Sequence, residues 1–456
     1  MSDYTNYYTN SIAEQAQKAL VILNGQGYEA WLVGGCVRDL LMGAVPKDWD
    51  IATDARPEEV QNVFADFKTI ETGLKHGTLT ALIDGMPVEI TTYRVDGEYL
   101  DNRRPSSVIF TRSLSDDLAR RDFTINAIAM DAMGAIKDYF GGQDDIRAKK
   151  VKCVGNPGER FREDGLRILR ALRFTSILGF SIEDDTGKAL HDNKGLLGNI
   201  SGERVQAELT KLLCGRDVMR VLREYADIVG VVIPEILPMI GFDQRTPYHC
   251  YDVWEHTLVV IENTPVTPVM RWTALLHDVG KPPCFSIDEK GVGHFYRHQA
   301  ASEKMANTIM KRLKFDNRNR EMIRTLVCGH MDISAPRKKA VKKLMGKYGE
   351  DMLRMLIAFK RADNIGQAEV VKDRQLDLDE CNRLIDDIVR NNECFKISDL
   401  VVDGNDMIEL GFEGREIGGA LDRLLEAVIE GEVENKREKL IWFAKQDRLD
   451  RQDYYR

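Results

Sequence analysis

The chain has 456 residues, roughly three domains' worth, and its 43 % apolar and 30 % charged residues exclude a disordered polypeptide. Lys plus Arg total 64 against 73 Asp plus Glu, so the net charge of −9 excludes a uniformly positive coat for nucleic acid while leaving room for local basic patches. No run approaches the roughly 18 uninterrupted apolar residues of a membrane-spanning helix. The opening MSDYTNYYTNSIAEQ lacks the basic start and apolar core of a secretion signal. Eight cysteines without a CxxC pair suggest neither a disulfide framework nor a zinc ribbon, so a reduced, cytoplasmic location is expected.

Residues 1–150 alternate helices with strands, and EAWLVGG (29–35), WDIAT (49–53), TLTALID (78–84) and VEITTYR (88–94) read as strands. Residues 151–240 read as helical, as in GLRILRALRFTSIL. Residues 241–370 are helical again and hold six of the eight histidines, and residues 371–456 are helical and strongly charged. The fold class expected is an α/β head followed by a long all-α remainder. Two cationic stretches stand out. Arg337, Lys338, Lys339, Lys342, Lys343 and Lys347 read as a solvated helix face or loop, and Arg94, Arg103, Arg104, Arg112, Arg120 and Arg121 form an arginine series.

A Gly-Gly turn at Gly34–Gly35 ends one strand and opens a helix, a place where backbone N–H groups and the helix dipole suit a phosphate. After twelve intervening residues comes Asp48-Trp49-Asp50. Residues i and i+2 of a strand share a face, so the two carboxylates converge and need a divalent cation between them. Hard oxygen ligands favour Mg²⁺, which activates a 3′-hydroxyl and clamps a triphosphate. Glu89 is placed as a third acid. The spacing resembles the nucleotidyltransferase signature hGG…DhD.

Glu163-Asp164-Gly165-Leu166-Arg167 reads as helix, with Asp164 and Arg167 on one face, either as an ordinary ion pair or as a base reader. Adenine and cytosine each present an amino donor beside an unprotonated ring nitrogen, which a carboxylate and a guanidinium complement; uracil and guanine reverse the pattern. Such a pocket takes ATP and CTP without a template.

His256, His277-Asp278, His298, His330 and Asp363 recur at intervals that suit one ligand per successive helix. HDVGKP, GHFYRH and RADN resemble the HD phosphohydrolase superfamily, which implies an imidazole and carboxylate cage for one or two transition-metal ions that activate water against phosphorus. Lys281 is placed to help hold the phosphate. A retained helical domain without turnover is the alternative. His249 and His294 fall outside the pattern.

Longer strings carry a wider resemblance. AWLVGGCVRDLLMG, KDWDIATDARPEEV, TGLKHGTLT, VEITTYR, RRDFTINAIAMD, DYFGG, RFREDGLRILRALRF and SGERVQAEL, in that order, resemble the class II tRNA nucleotidyltransferases, the CCA-adding enzymes and bacterial poly(A) polymerases. VVDGNDMIELGFEG and GEVENKREKLIWFA resemble the tail of the bacterial CCA-adding enzymes. The resemblance implies a polymerase β-like nucleotidyltransferase head (1–150), a base-reading neck (151–240), an HD body (241–370) and a tRNA-binding tail (371–456). It implies metal-holding roles for Asp48, Asp50 and Glu89. Gly34, Gly35 and Arg38 would face the triphosphate. Arg121, Asp122 and Asn126 would contact the sugar or shape the nucleotide pocket, and Asp164 with Arg167 would read the base. The segment Asp96–Arg112 matches the loop that full CCA-adding enzymes use when switching from C to A. Partners implied are the tRNA 3′ end, ATP and CTP, with Mg²⁺ as cofactor and no membrane. Addition of A alone, poly(A) synthesis, and a phosphohydrolase with a nucleotide-sensing head remain as alternatives.

Overall fold

The computed structural model describes residues 11–71, 73, 77–97, 108–333, 335–368 and 374–454. It divides into two compact units, Met1–Pro234 with Arg312–Lys314, and Glu235–Lys311 with Phe315–Arg456. No helix among the described residues is long and apolar enough to cross a membrane.

The first unit is built on a seven-stranded sheet. Its strands are β1 (Ala30–Val33), β2 (Asp50–Thr53), β3 (Lys68–Ile70), β4 (Thr78–Ile83), β5 (Met86–Thr92), β8 (Ile128–Met130) and β9 (Ile136–Asp138), in the order β3-β4-β5-β2-β1-β8-β9. The alternation in TLTALI buries Leu79, Ala81 and Ile83, the period-two pattern of a sheet covered on one face. The pairing of β2 with β5 is parallel, whereas the other pairs are antiparallel. Four strands lie where the sequence pattern puts them; β3, β8 and β9 are too short to show a period. A separate ribbon pairs β6 (Arg94–Asp96) with β7 (Val108–Phe110) and joins the two ends of the Asp96–Arg112 segment. Residues 98–107 of that segment, with Arg103 and Arg104, lie outside the described residues, as do positions 72 and 74–76 of TGLKHGTLT.

Beyond the sheet, helix Pro157–Glu163 starts where the Asn156 side chain accepts from the Glu159 amide at 3.1 Å. It stops at Asp164, whose backbone is extended (φ −137°, ψ 103°), and a new helix runs Leu166–Leu178 to a left-handed Gly179. The continuous helix expected through Glu163–Arg167 is therefore corrected to two helices meeting at Asp164–Gly165.

Among its described residues the second unit is helical except for a hairpin, Phe285–Ile287 against Gly293–Phe295, inside the region read as all helix. Helix Lys338–Tyr348 buries Val341 and Met345 against Leu353, Leu378 and Ile385. Its lysines are not free: Lys342 pairs with Glu393 at 3.0 Å, Lys339 with Glu430 at 3.1 Å, Lys343 with Glu430 at 2.9 Å and Lys347 with Asp332 at 2.7 Å. The acids come from other segments, which sequence spacing could not reveal. The cationic stretch is a paired helix face, and exposed pairs of this kind are screened by solvent and contribute little to stability.

Candidate active sites: a carboxylate edge and a histidine cage

The antiparallel register of β1 on β2 sets Leu32 against Ile51, which brings the turn at Gly34 beside Asp50. Gly34 has φ +77°, a left-handed conformation that favours glycine, and a Cβ there would stand 3.0 Å from Arg121 Nη1, pressing on the tip of that side chain. Asp50 is the first residue of β2 and sits in register with Glu89 on the parallel β5. Asp48 lies in a bend before the strand, not within it as the sequence suggested. Trp49 between the two aspartates is buried, and its carbonyl accepts from Glu89 N at 3.0 Å, carrying the ladder one residue beyond β2. Burial, the Glu89 carboxylate and Asp48 push the Asp50 carboxyl up to about 6, with Arg121 opposing. A carboxylate edge that resists its own ionisation, with no nitrogen or sulfur donor among its three acids, fits a hard divalent cation such as Mg²⁺.

Behind this edge runs a chain of polar groups centred on the buried Asp122 and Asn126. Arg38 Nη1 donates to Asn126 Oδ1 at 2.8 Å, Asn126 Nδ2 donates to Asp122 Oδ1 at 3.1 Å, and Arg170 Nε donates to Asp122 Oδ2 at 2.7 Å. Burial would raise the Asp122 carboxyl, but Arg170 and Asn126 outweigh it and hold it at about 2. Asp122 and Asn126 are thus inside the fold, and they tie Arg38 to the helix Leu166–Leu178. Arg121 is steadied by the buried Asp117 at 3.2 Å.

Asp164 and Arg167 come close in sequence yet do not pair with each other. Asp164 accepts from the Leu166 amide at 3.0 Å and from Arg204 Nη2 at 2.7 Å. Arg167 donates to Glu163 Oε2 at 2.5 Å and to the carbonyls of Arg160 and Arg120 at 3.1 and 3.0 Å. The simple ion pair weighed from the spacing is absent, and each side chain is oriented separately.

In the second unit the histidines meet as the helix spacing implied. His256 lies on helix Val253–Asn263, His277 and Asp278 follow helix Pro268–Leu276, His298 opens helix His298–Arg312, His330 follows helix Asn317–Gly329, and Asp363 lies on helix Glu350–Ile365. His256, His277 and Asp278 form one group, and Asp278, His298 and His330 another; in each, the ligand atoms all lie within 4.8 Å of one another. Asp278 bridges them: Oδ2 lies 3.1 Å from His277 Nε2 and Oδ1 lies 3.4 Å from His298 Nε2. His256 Nε2 is 3.1 Å from Asp363 Oδ1.

The four rings share one feature that decides what they hold. Each Nδ1 faces a backbone carbonyl: His256 that of Gly366 (2.9 Å), His277 that of Ala274 (2.8 Å), His298 that of Phe295 (2.9 Å) and His330 that of Val327 (2.7 Å). A nitrogen bound to a carbonyl must carry the hydrogen, so in the neutral ring Nε2 is left with a lone pair. Those lone pairs point at one another, His277 to His256 at 3.4 Å and His298 to His330 at 3.2 Å. Burial and His277 hold His330 down to about 3, so it stays neutral. Asp278 is buried, and its oxygens meet the Lys281 ammonium and the imidazole nitrogens of His256, His277 and His298. Facing lone pairs around a shared buried carboxylate fit a pair of transition-metal cations, with the carbonyls as the outer partners that fix each ring. Gly366 permits this: a Cβ there would stand 2.7 Å from His256 Nδ1.

Comparison with known proteins places the molecule. The Poly A polymerase head domain model matches residues 30–152, the model described as "Probable RNA and SrmB- binding site of polymerase A" matches 179–236, and tRNA nucleotidyltransferase domain 2 matches 294–444. A CCA-adding enzyme of Lactobacillus delbrueckii subsp. bulgaricus is 34 % identical over 442 residues, 96 % of this chain and 99 % of that one. The chain belongs to the CCA-adding enzyme family. Among solved structures, the Bacillus stearothermophilus CCA-adding enzyme in complex with CTP matches with 31 % identity and a TM-score of 0.74, covering 97 % of this chain and 98 % of its own. A CCA-adding enzyme of Geobacillus kaustophilus is 52 % identical over 214 residues, a match that spans about half of each chain.

Within this family member, several site residues escaped sequence reasoning. Arg170 and Arg204 lie inside the recognised strings but have no spacing rule to link them to Asp122 and Asp164. His249 was visible as one of the clustered histidines, and the structure brings its ring to 5.2 Å from His256. Lys360, which escaped as well, holds Asp363 at 2.7 Å, whereas Lys281, singled out from the sequence for the phosphate, pairs with Asp278 at 2.7 Å and donates to Gln244 at 2.8 Å. Because the raised carboxyl of Asp50 costs stability when ionised, Asp50→Asn is expected to melt roughly 2–4 °C above wild type at pH 7.5 without metal. That gain fades as the pH falls from about 6 toward 4, where Asp50 of the wild type is itself protonated. Differential scanning calorimetry at the two pH values checks this; equal melting at pH 7.5 contradicts it.

Proposed function

We propose that the chain adds CCA to the 3′ end of tRNA from CTP and ATP, without a template, in the cytoplasm. The observation that carries this reading is the register of Asp50 with Glu89 beside the Gly34 turn. The four-part division into head 1–150, neck 151–240, body 241–370 and tail 371–456 belongs to the same reading. Asp48, Asp50 and Glu89 would hold Mg²⁺, which would supply activation of the attacking hydroxyl and charge neutralisation on the triphosphate. The RNA 3′-hydroxyl loses its proton to solvent as its oxygen bonds to the α-phosphorus, the bond from that phosphorus to the bridging β-phosphate oxygen breaks, and pyrophosphate leaves. Gly34 and Gly35 let the backbone approach the triphosphate, and Arg38 and Arg121 face it. Asp164 and Arg167, oriented by Arg204 and Glu163, meet the donor and acceptor edge common to adenine and cytosine.

A tRNA transcript ending at the discriminator base, incubated with Mg²⁺ and CTP, ATP or both, tests this by product length. Growth by three nucleotides only when both are present is expected. A stop at two, a single A on a CC-ended tRNA, or a long A ladder moves the activity to a neighbouring member of the family.

The cage supports a second activity in the same chain, hydrolysis of a phosphate ester at a tRNA 3′ end, and the facing imidazole lone pairs favour it. Water supplies the oxygen of the new P–O bond, the ester P–O bond breaks, and the departing oxygen takes the proton. The paired cations would be held by His256, His277, Asp278, His298, His330 and Asp363, supplying Lewis acidity and an activated water. The double variant His277→Ala, Asp278→Ala should lose bound metal and cut hydrolysis by more than the ~10–100-fold that removal of an outer partner costs, with CCA addition intact. Full metal content in that variant contradicts the assignment.

A further inference from the structure

The cavity that opens on the cage, about 250 Å³, extends past the ligands to two stacked rings. His294 and Tyr296 lie with ring centroids 5.3 Å apart and planes 11° from parallel. They occupy positions i and i+2 at the end of the hairpin, which puts both rings on one face. The pair is built in. His294 Nε2 meets Asp288 Oδ2 at 3.0 Å, while Asp288 Oδ1 accepts from the Lys290 and Val292 amides at 2.9 Å, so one carboxylate closes the hairpin turn and holds the ring. Phe295, between them in sequence, packs against Phe285 and Phe242 with centroids at 5.3 and 6.4 Å and anchors the strand. Tyr296 is 71 % exposed although it lines the cavity, and it stands two residues before the cage ligand His298. Lys281 borders the same cavity, its ammonium 5.4 Å from the Phe295 centroid.

We propose that the His294–Tyr296 pair is a stacking subsite for the nucleobase of a nucleoside phosphate whose phosphate enters the cage. It selects esters that carry a base over base-free esters of the same chemistry. The inference rests on the reading of the cage as a phosphohydrolase centre. Stacking uses the π-face that every base has, so the subsite distinguishes a class of substrate and not one base from another.

The test uses the full chain with Mn²⁺ and two matched pairs of esters. Adenosine 2′-monophosphate is compared with glycerol 2-phosphate, and adenosine 2′,3′-cyclic monophosphate with glycerol 1,2-cyclic phosphate. Tyr296→Ala is expected to raise KM for the adenosine esters about 10-fold. Turnover number, bound metal and both glycerol esters should stay within about twofold, and Tyr296→Phe, which keeps the ring, should restore KM. Equilibrium dialysis of adenosine 2′-monophosphate should show the same Tyr296-dependent loss without any turnover. Adenosine and glycerol esters changing together, an unchanged KM in Tyr296→Ala, or a wild-type preference for glycerol esters would overturn the subsite. Hydrolysis of no ester, with binding still dependent on Tyr296, would instead overturn the phosphohydrolase reading and leave the subsite standing.

Discussion

Asp50 lies beside Glu89 because two parallel strands are locked in register, and no rotamer of either side chain can undo that neighbourhood. The backbone hydrogen bonds of a seven-stranded sheet hold the carboxylates together against their own repulsion. The raised Asp50 carboxyl is the sign of that opposition. Like charges kept close at a cost to stability are what a cation-dependent site looks like before the cation is counted. The histidine cage follows the same logic with different atoms. There, four carbonyls fix four rings so that their lone pairs face inward, and the favourable partner for those lone pairs is again a cation. Hard carboxylate oxygens suit Mg²⁺, while imidazoles with a bridging carboxylate suit transition metals, so the two donor sets differ in the kind of ion they would favour.

Around the first site the remaining residues act mainly through position. The run from Arg38 through the buried Asn126 and Asp122 to Arg170 joins a guanidinium beside the Gly34 turn to the helix Leu166–Leu178. The side chains proposed to read the base are treated likewise. Asp164 is held by Arg204 and a backbone amide, and Arg167 by Glu163 and two carbonyls, which limits the rotamers open to either. Preorganised polar groups of this kind lower the entropy that substrate binding must overcome.

The head and its carboxylates were legible because their signals are local: alternation in TLTALI, a glycine pair after an apolar strand, two acids separated by one buried tryptophan. The meeting of the cage residues was legible because, apart from the neighbours His277 and Asp278, each lies on or at the end of a separate helix, and a bundle brings such positions together. What could not be read depends on backbone detail or on distant partners. Asp164 breaks the helix through its own extended backbone and caps the next one, a switch that the composition of EDGLR does not force. The lysines of 338–347 meet Glu393 and Glu430, far along the chain. His249 belongs to a loop, where no period relates it to the helix-borne ligands, and His294 earns its place from a hairpin hidden within a helical stretch.

If Asp50, crowded by Glu89 and Asp48, holds the cation of the proposed centre, its proton competes with the metal. Calorimetric titration of Mg²⁺ from pH 5 to pH 8, in the His277→Ala, Asp278→Ala background so that only the head is counted, measures that competition. Affinity is expected to be level above about pH 7 and to fall as the pH drops through about 6, up to roughly tenfold per pH unit, with Asp50→Asn binding weakly and without that slope. Affinity independent of pH over this range, or Asp50→Asn binding Mg²⁺ as tightly as its parent, would contradict it.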